Sequence, residues 1–197
     1  MKKITSIFLV AILYGCGSSV SPVDQGLIDQ VMHIGNGSEP QGLDPHVVTG
    51  VPEHHLLITM CEGLTISNPE GGANLPGMAE SWEISEDGKT YIFNIRKDAK
   101  WSNGDDFVAD DMVWSWMRVL TPSLGSQYPD MLYYVEGAED FNTGVISDFS
   151  EVGVKAIDDK TLEVKLNNPT PFFLGLLSHY STWPVHKETV LEFGEID

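Results

Sequence analysis

Two things are scarce in these 197 residues: cysteine, which occurs twice, and positive charge, with 11 Lys and Arg against 29 Asp and Glu. Two cysteines cannot build a disulfide framework. The formal net charge of −18 argues against nucleic acid as a partner, since a polyanion would be repelled. Such a charge reads instead as solubility and as tolerance of a salty medium. Long apolar runs are also missing. The run at residues 4–13 is too short to cross a bilayer as a helix, which takes about 20 apolar residues. Catalytic signatures are absent too: there is no G-x-S-x-G, no S-x-x-K and no His in a recognisable triad motif, so a secreted hydrolase is the weaker reading and no enzyme activity is expected. No metal site is expected, because His54 and His55 are adjacent, diverge by about 100° on a helix and lack H-E-x-x-H spacing. Asp105-Asp106 and Asp110-Asp111 lack the EF-hand spacing and read as acids favouring a helix N-terminus. Nothing in the sequence calls for a cofactor.

What is present begins with an address. Lys2 and Lys3 precede the apolar run, and Gly15-Cys16 follows it, which is the pattern of a cleaved secretory signal peptide. Leu13-Tyr14-Gly15-Cys16 resembles the lipobox of bacterial lipoproteins. That resemblance implies that Cys16 is lipidated, becomes the new N-terminus and anchors the protein to a membrane, since each buried CH₂ contributes about 0.8 kcal/mol. Cys61 is then left without a partner. Its neighbours Leu56, Leu57, Ile58 and Met60 predict a buried small hydrophobe rather than a nucleophile.

Residues 16–29 are small, polar and without apolar period, as a tether would be. Val31, Met32 and Ile34 predict a short strand, and residues 40–45 an irregular loop. Residues 53–62 carry apolar side chains at helical spacing, with Gly63 where a helix would stop. Residues 81–85 and 90–95 alternate apolar and polar around Asp87-Gly88, a hairpin signal. Val152, Val154, Ile157 and then Leu162, Val164, Leu166 repeat the pattern around Asp158-Asp159. Between the hairpins, Val113, Trp116, Met117 and Leu120 predict a helix closed by Pro122. Trp114 and Trp116 cannot share one helix face, so one is expected in the core. A further helix is expected at 129–141, an apolar segment at 172–177, and a last helix at 186–193 that enters further structure. The outcome is an α+β body of helices packed on antiparallel strands.

Several stretches resemble the family-5 solute-binding proteins of ABC importers, the periplasmic oligopeptide- and dipeptide-binding proteins. They are Gly37-Ser38-Glu39-Pro40 with Leu43-Asp44-Pro45-His46, Glu62-Gly63-Leu64, and above all residues 77–101, with Ala79-Glu80-Ser81-Trp82, Asp87-Gly88 and Ala99-Lys100-Trp101. Trp114-Ser115-Trp116, Val154-Lys155-Ala156-Ile157-Asp158 and Pro171-Phe172-Phe173-Leu174 continue the match. The resemblance implies a type II-like periplasmic-binding-protein fold (α+β / α/β). The division it implies is a signal peptide at 1–15, a tether at 16–29, a first-lobe segment at 30–61, a small inserted lobe at 62–185 and a return to the first lobe at 186–197, with the second large lobe absent and the chain an N-terminal part of a longer protein.

By the same resemblance the ligand is an oligopeptide, held extended between lobes by backbone pairing, and the partners are the permease subunits of an ABC transporter. Dipeptides, glutathione, nickel chelates and signalling peptides remain alternative cargoes on this fold. Thr49-Gly50-Val51, before Pro52, matches the family's backbone-pairing segment, where a Gly admits close approach and a Pro ends the strand. Tyr128 matches a tyrosine that leans on the bound peptide. The acidic group that holds the peptide's amino terminus in the family comes from the second large lobe.

Overall fold

The computed structural model describes residues 20–194 and falls into two compact units, residues 1–37 and 38–197. In the first, helix α1 spans Pro22–Asp29. Its start is built from local chemistry: Ser21 Oγ accepts from the Asp24 amide at 3.1 Å, Pro22 supplies a fixed φ at the first position, and Gln30 closes the turn at φ 55°. The segment expected as a tether at 16–29 thus contains a helix over its last eight residues. The Ser-Pro-x-Asp start signal was present, but in a segment too short to show an apolar period. Residues 31–34 form no strand, and Val31, Met32 and Ile34 are exposed, with no partner strand among the described residues of this unit. Residues 1–16, with the signal peptide and Cys16, lie outside the described residues. No described helix is long and apolar enough to cross a membrane.

The second unit opens with a loop and helix α2, Val51–Met60, then a small hairpin of β1, Thr65–Ile66, and β2, Leu75–Pro76. Strands β3, Ala79–Ile84, and β4, Thr90–Ile95, form the first expected hairpin; helix α3, Ala109–Leu120, follows. After a short helix α4, Ala138–Asn142, come β5, Val154–Asp158, and β6, Thr161–Lys165. Two more helices, α5, Phe173–Leu176, and α6, Lys187–Phe193, end the described chain. The four long strands make one antiparallel sheet in the order β3-β4-β6-β5.

Period-2 alternation decides which side of that sheet is buried. Tyr91, Phe93 and Ile95 of β4 and Leu162 and Val164 of β6 point inward, and Phe93 pairs with Leu162 as Tyr91 does with Val164. Helix α3 lies over them with Met112, Trp116, Val119 and Leu120 buried. Trp116 is the core tryptophan, and its indole N–H donates to the Thr182 carbonyl at 2.9 Å. Asp111 caps α3 by accepting from the Val108 amide at 2.9 Å.

Two other expectations are revised. Residues 129–141 do not form one helix: a 3₁₀ turn at Pro129–Leu132 gives way to Val135, which bridges to Leu166, and α4 begins only after Gly137 at φ 71°. Leu132, Val135 and Ala138 are all buried, so their i, i+3 spacing satisfies a core without a helix. Cys61 is exposed rather than buried, just past the end of α2. The apolar side chains of α2 are spread around the helix rather than gathered on one face, and it buries only Glu53 and Leu57. Partial desolvation raises the Cys61 thiol's pKa.

Because the sheet and α3 share one continuous cluster, losing a central side chain there leaves a cavity that nothing refills. Leu162→Ala should cost about 2–5 kcal/mol in urea unfolding, whereas Ile157→Ala, at an exposed site of the same hairpin, should stay within about 0.5 kcal/mol. Equal losses at the two sites would contradict the assignment of the buried face.

Candidate functional site

The region singled out in the sequence is a loop between Ser38 and α2. Pro45, His46 and Val47 make a single turn closed by the Val47 and Val48 amides on the Asp44 carbonyl, both at 3.1 Å. Beyond it the chain runs extended to Gly50, the N-cap of α2, and Pro52 sits at the second helical position. Pro52 thus starts a helix rather than ending a strand. Thr49 and Gly50 line an open hollow of about 500 Å³, together with Glu39, Asp44, Val48 and Glu53. Val51 is exposed on the first turn of α2 and Tyr128 lies elsewhere, so neither lines this hollow.

Among the described residues, neither the N–H nor the C=O of Thr49 makes a hydrogen bond. A buried backbone group in that state would be costly, but Thr49 is exposed and opens on the hollow. Gly50 meets a side chain of the protein itself. Its φ of −91° is ordinary, but a Cβ there would overlap the carboxylate of Glu53. Glu53 is buried and accepts from the Gln41 amide at 2.7 Å, which fixes the far rim of the hollow.

Behind the loop stands a polar cluster. Arg118 of α3 is buried and holds Asp44 with both ends of its fork, Nη2 to Oδ2 at 2.6 Å and Nη1 to Oδ1 at 3.1 Å. Nη1 also donates to Nδ1 of His46 at 3.0 Å, which leaves Nε2 as the protonated nitrogen, donating to the Trp183 carbonyl at 2.8 Å. Burial, helped by the Arg118 charge and opposed by the Trp183 carbonyl and Asp44, pushes the His46 pKa down to about 4. For Asp44, burial works upward but is outweighed by the Arg118 and His46 hydrogen bonds and the Arg118 charge, so its pKa lies below the usual carboxylate range.

An aromatic cluster supports the other side. Tyr180 and Trp183 pack with Leu57, and Val48 and Tyr128 close over them. The Tyr128 ring stands edge-on to His179 at 5.3 Å and to Tyr180 at 6.2 Å. Tyr180 donates its hydroxyl to the Val48 carbonyl at 3.2 Å, and burial together with Tyr128 pushes its pKa to about 12. The structure therefore brings Tyr128 to within one layer of the Thr49 segment. Sequence reasoning did not find Arg118, His46, Glu53 or Tyr180. The available signal was Arg118 on the apolar side of α3 and the Asp44-Pro45-His46 turn, but nothing local joins two segments 74 residues apart. Among the described residues no group of three His, Cys, Asp or Glu side chains could hold a metal ion.

The model of the bacterial extracellular solute-binding proteins, family 5 (middle part), matches residues 75–195. The chain belongs to this family. It is 42% identical over 192 residues to the periplasmic oligopeptide-binding protein OppA of Escherichia coli, covering 95% of this chain and 35% of that protein. The crystal structure of Haemophilus influenzae OppA in complex with RPPGFSPFR is 42% identical and superposes with a TM-score of 0.76 over 82% of this chain and 32% of that one. The murein tripeptide binding protein MppA of Escherichia coli, at 33% identity, gives a TM-score of 0.72 over 79% of this chain and 30% of its own. The type II periplasmic-binding-protein fold expected from the sequence is thus the fold found, and the chain spans about a third of the length of the relatives it matches.

The His46 geometry dictates a pH dependence. Above pH 6.5 His46 is neutral both folded and unfolded. Between 6.5 and about 4 the unfolded chain takes up a proton that the folded one refuses, so stability falls as pH falls, by about 3 kcal/mol over the whole window. Asp44, with its lowered pKa, adds loss in the same direction at still lower pH. His46→Asn keeps an acceptor toward Arg118 but cannot be protonated there. Denaturant titrations from pH 7 to 4.5 should therefore show a shallower fall for His46→Asn than for the wild type.

Proposed function

We propose that the complete protein captures oligopeptides outside the cytoplasm and delivers them to an ABC transporter permease, and that Thr49 and Gly50 form one edge of the peptide site. The observation that carries this reading is the unpaired backbone of Thr49, exposed on the hollow in a loop that Arg118, Trp183 and Tyr180 hold from outside. A peptide laid beside it as an added strand finds a donor and an acceptor that every peptide can use, whatever its side chains. Tyr128, packed against Tyr180 and His179, stands on the neighbouring layer, where its ring can lean on the ligand. Residues 62–185 are the small inserted lobe of this scheme, and the segments at 30–61 and 186–197 belong to the first lobe. The relatives are solute-binding proteins; the names of the oligopeptide-binding and murein tripeptide binding proteins, and the peptide RPPGFSPFR in complex with one of them, support the cargo class.

If the edge works through its main chain, Thr49→Ala should change the affinity of the complete protein for trialanine by less than about threefold, because no side-chain bond is lost. Trialanine methylated on its central nitrogen should lose about tenfold or more, since it forfeits a strand hydrogen bond and gains a clash. Calorimetric titration reads both, and equal losses would place recognition in the Thr49 side chain. The same titration of residues 16–197 alone should show no binding: a single edge of bonds at about 0.5–1.5 kcal/mol each does not exceed an association cost of at least about 4 kcal/mol.

The anchor proposal concerns Cys16. Cys16→Ser should move the protein from the membrane fraction to the soluble one and abolish incorporation of labelled palmitate. Unchanged labelling would remove the lipoprotein reading and leave peptide binding untouched.

A further inference from the structure

The loop from Asp44 to Gly50 has little internal support, since its own bonds are the two amides on the Asp44 carbonyl and the His46 amide on Asp44 Oδ1 at 3.0 Å. What fixes it comes from far along the chain. Arg118 holds its first residue, the Trp183 carbonyl holds His46, and the Tyr180 hydroxyl holds the carbonyl of Val48. The last contact has a geometric consequence. The Val48 carbonyl and the Thr49 N–H belong to one planar trans peptide unit, so they point in opposite directions. A hydroxyl that draws the Val48 carbonyl toward the Leu57, Tyr180 and Trp183 cluster turns the Thr49 N–H away from it. Toward Val48 the hydroxyl acts as the donor, and Tyr180 is otherwise packed among rings, with the Tyr128 side chain also in reach of its hydroxyl. Arg118 supplies the other end of the lever. With Asp44 and His46 both held on the fork of one guanidinium, the turn at Pro45 cannot rotate to undo the plane.

We propose that Tyr180 and Arg118 are positioning residues for ligand binding: Tyr180 sets the 48–49 peptide plane so that the Thr49 N–H faces the ligand, and Arg118 locks the turn that leads into it. Neither touches the ligand. The role rests on the peptide-pairing reading of Thr49 and specifies how that edge is kept ready.

The test uses Tyr180→Phe, which removes one oxygen and keeps the ring, and Arg118→Lys, which keeps the charge and loses the fork. Trialanine affinity of the complete protein is measured by calorimetry, and amide hydrogen exchange is followed residue by residue. Tyr180→Phe should weaken binding about fivefold and Arg118→Lys about tenfold or more. In both, exchange should quicken at the Val47 and Val48 amides, which close the turn, while β4 from Thr90 to Ile95 exchanges as in the wild type. Wild-type affinity in both variants overturns the positioning role and leaves the peptide reading intact. Binding lost with faster exchange throughout β4 overturns it as well, because the residues then act only on global stability. A complete wild-type protein that does not bind trialanine overturns the peptide reading, and the positioning role falls with it.

Discussion

The buried guanidinium of Arg118 is the constraint on which the loop, the hollow and the backbone edge all depend. A charge of this kind is tolerated away from water only when it is paired and hydrogen-bonded, and removing one partner of a buried pair typically costs about 3–5 kcal/mol. Here the partners are supplied by Asp44 and by the unprotonated nitrogen of His46. The demand runs both ways. Asp44 and His46 are drawn to the end of α3, and the intervening Pro45 leaves the backbone few ways to connect them other than the turn observed. A segment with almost no core of its own thereby acquires the rigidity of the helix behind it.

The hydrophobic arrangement makes this possible. The sheet and α3 share one continuous core, so α3 has little freedom to shift, and Arg118 leaves it at a fixed height beside Ser115, whose hydroxyl accepts from the Val185 amide at 3.0 Å. The second cluster, around Leu57, Tyr180 and Trp183, is small and sits where α2 meets the chain returning from α5. Close approach there depends on Gly63, where any Cβ would overlap the Trp183 ring. Two hydrophobic bodies of unequal size are thus joined by a polar clamp.

The hairpins were legible because their alternation is strict and their turns carry Asp-Gly or Asp-Asp, and α3 was legible because an amphipathic stripe of four residues cannot be a strand. The failures have physical causes. At 129–141 the burial spacing of a helix is reproduced by a 3₁₀ turn and a β-bridge. Around Cys61 a helix whose apolar residues form no single stripe gives no indication of which face is buried. The proposed ligand residues Thr49, Gly50, Val51 and Tyr128 come from family resemblance, whereas the clamp does not, since Asp44, His46, Arg118, Tyr180 and Trp183 meet only through tertiary folding. Gly50 shows the difference most clearly. The resemblance places a glycine there for the ligand's sake, and the structure gives it a reason inside the protein, the seat of the Glu53 carboxylate.

That seat bears on what the edge can select. Three carboxylates, Glu39, Asp44 and Glu53, line the hollow of a strongly acidic chain, and such a surface would ordinarily favour cationic side chains. Two of the three are already committed, Asp44 to the Arg118 fork and Glu53 to the Gln41 amide. Glu39 is exposed, where water and salt screen a single charge to a small contribution. The N–H and C=O of Thr49 open on the same hollow and are indifferent to side-chain identity. In the proposed scheme an edge built this way would supply affinity common to all peptides, and discrimination among them would arise from surfaces other than this loop.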